Sequence, residues 1–451
     1  MVKEIKIKKG LDIHLKGKAP EVWLKASEKS DSYAVLPDSF NGIVPKVVVK
    51  AGEKVRAGSV LMTDKNRPEI KFVSPVSGEV TAVCRGEKRK VLRIVVKPDE
   101  TVEYVAFGPF KDPSLLSPEE IKTAFLEAGI WPFITQRPYD IVASPSDTPR
   151  DIYISTVYTA PLSPDFGFIV KNREADFQAG LEALAKLTPG KVFVGVKKGS
   201  AQTWSGVELI EVEGPHPAGN VSVLINHTRP INKGETVWTI RPDDVIIAGR
   251  LFREGIADFS RLVALTGSET TGQGYIPAIA GCTIRSLVEG KLTEGKEHLR
   301  IISGNVLTGK KVSKDDYLYA SDNQITVIPE GDQEHEFFGW ATPGTSKFSV
   351  SRTFPAWLTG RKKEYVIDAR IRGGKRAMIM SNEYDKVFPL DIYPEYLLKA
   401  IIAFDIDKME NLGIYEVAPE DFALCEFVDT SKIEIQQIVR KGLNLLYKEM
   451  N

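Results

Sequence analysis

The residues of this sequence that could most readily take part in chemistry lie far apart along the chain. The three cysteines, Cys84, Cys282 and Cys425, lie far apart along the chain. A sparse, odd count of cysteines without a signal peptide is typical of reduced thiols in the cytoplasm. We therefore expect Cys282 to be a small buried hydrophobic residue, and we expect no metal ligand at Cys425.

His216 is a second candidate, and it lies in the segment Gly214–Asn220. Two prolines and two glycines mark this segment as a rigid turn between two strands. At the tip of the turn, His216 could form a hydrogen bond in a binding site. The other interpretation is a turn histidine without chemistry, and the pattern favours this second interpretation.

Lys65 is a third candidate, and it lies between two glycine-containing strand segments, 49–61 and 74–80. Their pattern resembles the biotinyl/lipoyl fold, in which glycines allow tight turns between facing hairpins. Carrier domains of that fold modify a lysine near this place, at the tip of a rigid turn. Here Asn66–Pro68 follows the lysine, and the spacing to Ser74 is longer than carriers use. The pattern favours a structural barrel without acylation of Lys65.

The composition excludes several classes of function. The chain has 451 residues, and its 60 basic and 60 acidic residues give a formal net charge of zero. Proteins that bind nucleic acids usually carry a basic excess, so no nucleic acid is expected as a partner. The N-terminal segment lacks the apolar core of a signal peptide, and no apolar run approaches the ~20 residues needed to cross a bilayer. Association with a membrane is therefore expected to depend on a partner.

The elements that must position these residues change in type along the chain. Residues 1–108 alternate strand segments, such as 3–8, 44–50 and 91–96, with turn residues, which predicts a barrel-sandwich domain of the biotinyl/lipoyl type. Residues 109–255 interleave strands with helices, which predicts a Rossmann-like α/β domain with a mainly parallel sheet.

Within the predicted α/β domain, two helices have clear signals. Ser117 can cap the free N–H groups of a helix that begins at Pro118, and a second helix is predicted over Ala175–Leu187. The strand candidates are Asp151–Ser155, Gly167–Val170, Lys191–Val196 and Val245–Ala248.

The last two regions complete a multidomain α/β protein. Residues 256–375 return to strands rich in glycine and threonine, with a short helix at Ile284–Val288 that Thr283 is expected to cap. Residues 376–451 are predicted to be helical, over Pro394–Ile402, Glu420–Phe427 and Lys432–Tyr447. No low-complexity linker separates the four regions, so we expect the domains to pack closely.

The α/β region resembles the flavoprotein subunit of respiratory complex I and the C subunit of the Rnf complex. Those relatives have a glycine-rich loop where this chain has Ile130–Pro138, and the N–H groups of that loop approach a flavin or nucleotide phosphate. Trp131, Pro132 and Phe133 cannot form such a cradle, because their side chains are bulky and proline lacks an N–H. The dinucleotide fingerprint Gly-x-Gly-x-x-Gly is also missing, so neither FMN nor NADH is expected to bind.

The third and fourth regions extend this resemblance. Leu262–Gly267, Ala280–Val288 and Arg300–Asn305 are similar to the soluble-ligand-binding β-grasp (SLBB) domain of the same relatives. In those relatives the C-terminal helices hold an iron–sulfur cluster on closely spaced cysteines. Ala423–Asp429 keeps only Cys425 here, and one thiolate cannot hold a four-iron cluster, so no cluster is expected.

The order of the four regions, with stretches along nearly the whole chain, resembles the NqrA family, which supplies the A subunit of the Na+-translocating NADH:quinone reductase. The matching stretches are Lys9–Ile13, Gly214–Gly219, Asp244–Phe252, Ile302–Gly304, Phe338–Trp340, Pro389–Asp391 and Ala423–Phe427. The resemblance implies a complex of six different subunits that oxidises NADH, reduces ubiquinone and exports sodium ions. It places FAD, FMN, riboflavin and iron–sulfur centres on the other five.

For this chain the resemblance implies a peripheral position on the cytoplasmic side of the bacterial inner membrane, in contact with the membrane-embedded B subunit. It implies an association with quinone reduction, and a chain that is not catalytic by itself. Because they replace or neighbour the cofactor loops of the relatives, Trp131, Phe133, Arg137 and His216 are candidates for a quinone site. Such a site needs an apolar slot with one or two hydrogen-bond donors.

Three alternatives remain open at the level of sequence. Trp131 and Phe133 could fill the vacated flavin pocket as core, which is the slightly favoured interpretation. The chain could be a carrier protein modified on Lys65. It could also be a free-standing ligand-binding or scaffold protein that uses its SLBB module without any redox role.

Overall fold

A computed structural model describes residues 3–26, 29–108, 112–295, 298–332, 344, 347–352, 354, 356, 358 and 363–450. The matching stretch Phe338–Trp340 lies outside the described residues. Among the residues that are described, no helix has the length and apolar character that crossing a membrane requires.

The first strand, β1 (Lys3–Lys6), is followed by the strands of the barrel. These are β2 (Tyr33–Val35), β3 (Pro45–Val47), β4 (Lys54–Val55), β5 (Val60–Asp64), β6 (Lys71–Val73), β7 (Gly78–Arg85) and β8 (Val91–Pro98). They form two antiparallel sheets in the orders β2-β8-β7-β4 and β3-β5-β6. Gly78 of β7 allows β7 and β8 to approach closely, because a Cβ atom at this position would lie 1.9 Å from the carbonyl oxygen of Lys97. The predicted barrel of short strands is confirmed.

The second region is an α/β layer. Its strands are β9 (Thr135–Arg137), β10 (Ile141–Val142), β11 (Ile152–Ser155), β12 (Val192–Lys197), β13 (Glu208–Glu213) and β14 (Val237–Thr239). Its helices are α1 (Pro118–Glu127), α2 (Phe166–Val170), α3 (Glu174–Lys186), α4 (Val221–Thr228) and α5 (Pro242–Glu254). The sheet order is β1-β13-β12-β11-β14-β9-β10, and the pairs from β1 to β14 are parallel, as predicted.

The predicted start of α1 is confirmed in detail. The Ser117 hydroxyl accepts a hydrogen bond from the N–H of Glu120, and the Glu120 carboxylate accepts one from the N–H of Ser117. This reciprocal pair is a capping box, which satisfies N–H groups that the first turn of a helix leaves free.

Two of the predicted strands are wrong. Gly167–Val170 lies in α2, where the Asp165 carboxylate caps the helix by accepting from the N–H of Phe168. Val245–Ala248 lies inside α5, which packs closely on α3. Both are short, continuous apolar runs, and their periodicity cannot distinguish a buried strand from a buried helix segment.

In the part of the third region that the structure describes, a five-stranded sheet packs with one short helix. The strands are β15 (Ser260–Thr266), β16 (Gly274–Ile279), β17 (Leu299–Ser303), β18 (Lys310–Val312) and β19 (Gln324–Pro329), and their order is β16-β15-β19-β17-β18. The predicted helix α6 (Ile284–Val288) is confirmed, and Thr283 stands at its N-cap position. The Thr283 side chain makes no capping bond, however, because its hydroxyl lies 3.1 Å from the hydroxyl of Ser30.

The fourth region is helical, as predicted. It contains α7 (Pro394–Ile402), α8 (Ile406–Asn411), α9 (Ala423–Val428) and α10 (Ile435–Met450). The helix predicted over Glu420–Phe427 is divided between a 3-10 turn, Pro419–Phe422, and α9.

The hydrophobic core runs across the regions. One cluster of buried side chains joins the barrel, the α/β layer and the five-stranded sheet, and includes Leu61, Trp131 and Leu262. A second cluster joins β1, the α/β layer and the C-terminal helices, and includes Ile5 and Leu443. The expectation of closely packed domains is therefore confirmed, and packing fixes where the regions meet.

Candidate functional site

A cavity of about 550 Å³, which we call the central cleft, lies where all four regions meet. Ser155 and Thr239, at the carboxyl ends of β11 and β14, line its floor. The chain leaves β11 for β12 on one side and returns to β14 on the other, so this is a topological switch point of the sheet. Ligands of open α/β sheets bind in such crevices. The central cleft is therefore the candidate site.

Trp131 does not line the central cleft. Its side chain is fully buried, and its indole N–H donates to the carbonyl of Ala143 at 2.9 Å. Its ring packs edge to face against Trp238, with ring centres 5.2 Å apart. The structure thus places Trp131 in the core beneath the site.

Phe133 is also buried, but it forms part of the cleft wall. Its ring stacks on Phe259 at 5.9 Å and meets the edge of Phe40 at 5.5 Å. These contacts join the α/β layer to the barrel and to the strand region that follows. Phe133 therefore contributes an aromatic face to a cleft that is lined by both polar and apolar groups.

Arg137, at the end of β9, lines the central cleft with a side chain that is 2% exposed. Its guanidinium lies 3.5 Å from carboxylate oxygens of Asp140 and Glu420, and 3.9 Å from Asp421. Among the described residues, Nε and Nη1 of Arg137 have no hydrogen-bond partner. The neighbouring carboxylates therefore balance the positive charge of Arg137, yet the guanidinium keeps donor atoms to which a ligand carbonyl could bond.

Glu420 and Asp421 bring the C-terminal region to this arginine. Burial and the neighbouring Asp421 raise the pKa of the Glu420 carboxyl, while Arg137 opposes the rise. Burial also raises the pKa of Asp421. Arg440 of α10 fixes the adjacent turn by pairing with Asp140 and by donating to its carbonyl at 3.1 Å. The central cleft thus contains a cluster of carboxylates and guanidinium groups whose opposite charges offset one another.

His216 lies one layer behind the central cleft. It is 4% exposed, and its Nδ1 lies 3.0 Å from the hydroxyl of Thr159, which does line the cleft. The backbone N–H of His216 donates to the carboxylate of Asp12 at 2.9 Å. Burial lowers the pKa of His216 to about 4, so the imidazole is neutral at pH 7. His216 therefore reaches the cleft through its contact with Thr159.

A second polar group joins α5 to the five-stranded sheet beside the central cleft. The hydroxyl of Tyr158 and the side-chain amide of Asn323 both donate to Asp243. Arg261 of β15 donates to Asp244 at 3.0 Å, and both side chains are almost fully buried. The sequence analysis missed this group, because its members come from three distant segments and no local motif marks them.

The remaining chemical candidates lie elsewhere. Cys282 and Cys425 are buried, and burial raises the pKa of the Cys282 thiol to about 12 and that of Cys425 well above its usual range. Within the described ranges, no three His, Cys, Asp or Glu side chains are grouped to hold a metal ion. Lys65 is exposed in a turn that Asp64 organises, by accepting hydrogen bonds from the N–H groups of Val44 and Asn66.

Three family models match this chain in the order of its regions. The "NqrA N-terminal barrel-sandwich hybrid domain" matches residues 5–99, the "NqrA second alpha/beta domain" matches residues 116–257, and the "NQRA C-terminal domain", an SLBB model, matches residues 262–314. These matches confirm a multidomain protein with a barrel-sandwich domain, an α/β domain and an SLBB domain.

Curated relatives match over the full length. The A subunit of the Na(+)-translocating NADH-quinone reductase from Neisseria meningitidis serogroup A is 35% identical over 451 residues, covering 99% of this chain and 100% of the relative. The proteins of the same name from Tolumonas auensis and Yersinia pestis are each 36% identical with the same coverage. A solved chain of an NAD+-reducing [NiFe]-hydrogenase is 12% identical, with a TM-score of 0.35, and the match covers 51% of this chain and 52% of the hydrogenase chain. This similarity is too low to define a shared fold.

Proposed function

Because the chain belongs to the NqrA family, the A subunits of the Na(+)-translocating NADH-quinone reductase, we propose that it is a peripheral component of that complex. In this proposal it is docked on the membrane-embedded B subunit at the cytoplasmic face of the inner membrane. The observation that carries the proposal is the similarity over the full length, which leaves no region of the relatives unmatched. The isolated chain is not catalytic in this proposal.

Co-purification tests the assignment. A tagged chain extracted from native membranes in a mild detergent is expected to bring down the flavin-bearing membrane subunits. A tagged chain that always elutes alone would instead support the free-standing SLBB-type scaffold, and the proposed assembly would be wrong. Intact mass equal to that of the bare sequence would remove the carrier alternative at Lys65.

The finer description of the fold is also a proposal. The parallel strand order β13-β12-β11-β14, with helices on its faces, supports a Rossmann-like description of the second region. The five-stranded sheet with α6 supports a β-grasp description of the third region.

We further propose that this chain binds neither FMN nor NADH nor an iron–sulfur cluster. The residues do not fit a phosphate cradle, since Trp131 fills the core and Pro132 has no N–H to offer. Cys425 is a buried thiol whose burial favours the protonated form, which is not the ligand form of a cysteine. Acid extraction of the purified chain is expected to release no flavin and no iron, and stoichiometric release of either would contradict the proposal.

For the quinone end of the complex, we propose that the central cleft receives the quinone headgroup. Phe133 offers an aromatic face, Arg137 offers ion-paired donor atoms that make no hydrogen bond among the described residues, and His216 orders Thr159 at the wall. Trp131 supports this wall from the core without touching the ligand. No chemical step is assigned to these residues, because they hold the ring and supply no electrons.

Photolabelling with a quinone analogue tests this site in the assembled complex. Arg137→Lys keeps the charge but removes the forked donors. This variant and the separate variant His216→Asn are each expected to reduce labelling and turnover. Arg250→Lys is the matched control, because Arg250 is a buried arginine paired with Asp258 away from the central cleft. Unchanged labelling and turnover in both site variants would remove the proposal.

A further inference from the structure

Residues 366–380, which we call the basic strap, differ in charge from the rest of the chain. Arg370, Arg372, Lys375 and Arg376 are opposed within the basic strap only by Asp368, so its net charge is +3 while that of the whole chain is zero. These fifteen residues are all described, and none of them lies in a helix or strand. The positive charge is therefore concentrated on one irregular surface segment.

The backbone of the basic strap is held on its inner side. The N–H of Ala369 donates to the carbonyl of Pro329 at 3.1 Å, and the N–H of Arg376 donates to that of Ser431 at 2.8 Å. The Ser431 hydroxyl in turn donates to the carbonyl of Ala377 at 2.9 Å. Because its backbone is attached at both ends, the segment presents its side chains outward on a fixed surface.

Large aliphatic side chains stand among these cations. Ile371 is 63% exposed, Ile379 is 57% exposed and Met380 is 39% exposed. Asp368 pairs with Arg370 and Arg372, and Glu434 pairs with Lys375 at 2.6 Å. The Asp368 side chain is only 12% exposed, whereas Glu434 is 54% exposed beside Lys375, and the aliphatic groups are exposed on the same segment as the cations. Exposed apolar side chains grouped in this way mark an interaction surface.

We propose that the basic strap rests on the anionic lipid headgroups of the membrane beside the complex. Cations complement anionic lipids, and aliphatic side chains of the same segment reach the boundary between headgroups and acyl chains. An acidic protein surface would match the cations but would leave Ile371 and Ile379 without an apolar environment. The inference rests on the proposed function, since it deepens the peripheral attachment of this chain by adding a contact with lipid.

Sedimentation of the purified full-length chain with vesicles tests the basic strap. The chain is expected to bind vesicles that contain phosphatidylglycerol, to ignore vesicles of phosphatidylcholine alone, and to dissociate as salt screens the charges. Arg376→Glu with Ile379→Ser is expected to weaken binding at least about tenfold, and so is Lys375→Glu with Ile371→Ser. Lys399→Glu with Ile402→Ser is the matched control, because both residues are exposed on α7, outside the basic strap.

Each outcome of this experiment is decisive. Equal binding to both kinds of vesicle, or equal loss in the control, overturns the inference. If the wild-type chain ignores anionic vesicles while the basic strap variants fail to co-purify with the membrane subunits, the surface binds protein and the lipid inference is wrong. If co-purification is intact but no vesicle binds, the proposed assembly stands and only this inference fails.

Discussion

Arg137 illustrates how a single residue connects regions that are far apart in sequence. It is the cation between Asp140 and the pair Glu420 and Asp421. Arg137→Met would leave Asp421, which is 3% exposed, without its nearest positive charge. Removing one partner of a buried ion pair costs about 3 to 5 kcal/mol, so we expect a loss of this size in urea unfolding at pH 7.

The double variant separates this charge effect from lost packing. Arg137→Met with Asp421→Asn removes both charges, and we expect it to recover a large part of the stability that the single arginine variant loses. Strictly additive effects of the two changes would show that the two residues are not energetically coupled.

At His216, the prediction concerns the pH dependence of stability. Burial lowers its pKa from 6.5 to about 4 in the folded chain, so between these values the unfolded chain binds one more proton than the folded chain. This contribution to stability is complete above pH 6.5 and is lost as the pH falls toward 4. The loss amounts to about 3 kcal/mol.

Denaturation curves of the wild type and His216→Asn, measured from pH 7 to pH 4, test this. The difference in free energy of unfolding between the two proteins should shrink as the pH falls from 6.5 toward 4. Raised carboxyl pKa values, such as that of Glu420, act in the opposite direction but affect both proteins equally. Parallel curves for the two proteins would contradict a neutral, buried His216.

At the scale of elements, the crossing of α3 and α5 depends on glycine. A Cβ atom on Gly249 would lie 1.7 Å from the carbonyl oxygen of Asp176 and 2.6 Å from the N atom of Gly180. In an exposed helix, replacing glycine by alanine stabilises by about 1 kcal/mol. Here we expect Gly249→Ala to destabilise by about 3 kcal/mol, because the helices must separate.

Thermal unfolding of two variants checks this sign reversal. Glu254→Ala lies in the last turn of the same helix at an exposed position, and we expect it to be nearly neutral. A stabilised Gly249→Ala variant would mean that the two helices do not approach as closely as described.

A comparison of the helices shows why the sequence predicted most elements but not all of them. Pro394–Ile402 and Ile284–Val288 were predicted at their observed bounds, since proline or threonine marks their starts. Gly167–Val170 and Val245–Ala248 were mistaken for strands, because a short apolar run indicates burial rather than conformation. Only the packing of α5 on α3 decides between the two.

The same limit applies to the site at the scale of the whole molecule. Phe133 and Arg137 were predicted as candidates from one local loop, and both line the central cleft. Glu420, Arg440 and Asp244 were not predicted, since they reach the cleft through the packing of regions that are remote in sequence. Long-range contacts of this kind leave no periodicity or spacing for sequence analysis to detect.

The strand predicted over residues 3–8 shows the same effect on domain organisation. It was assigned to the barrel region, yet β1 pairs in parallel with β13 at the edge of the α/β sheet, and the N–H of Ile7 extends the pairing to Glu213 at 2.8 Å. Ile5 is 4% exposed within the core cluster that also contains the C-terminal helices. The N-terminus therefore stabilises a region that begins about a hundred residues later.

Hydrogen exchange on two full-length variants tests this integration. Ile5→Ala removes a buried side chain from β1, at a cost of about 3 kcal/mol, and we expect faster exchange in β13 and β12 while β7 and β8 stay protected. Ile94→Ala is the matched control, because Ile94 is fully buried on β8 of the barrel, and it should produce the opposite distribution. Loss of protection confined to the barrel after Ile5→Ala would show that the first strand belongs to the barrel and not to the α/β sheet. Loss in the α/β sheet would show that the first residues of the chain complete the sheet that forms the floor of the central cleft.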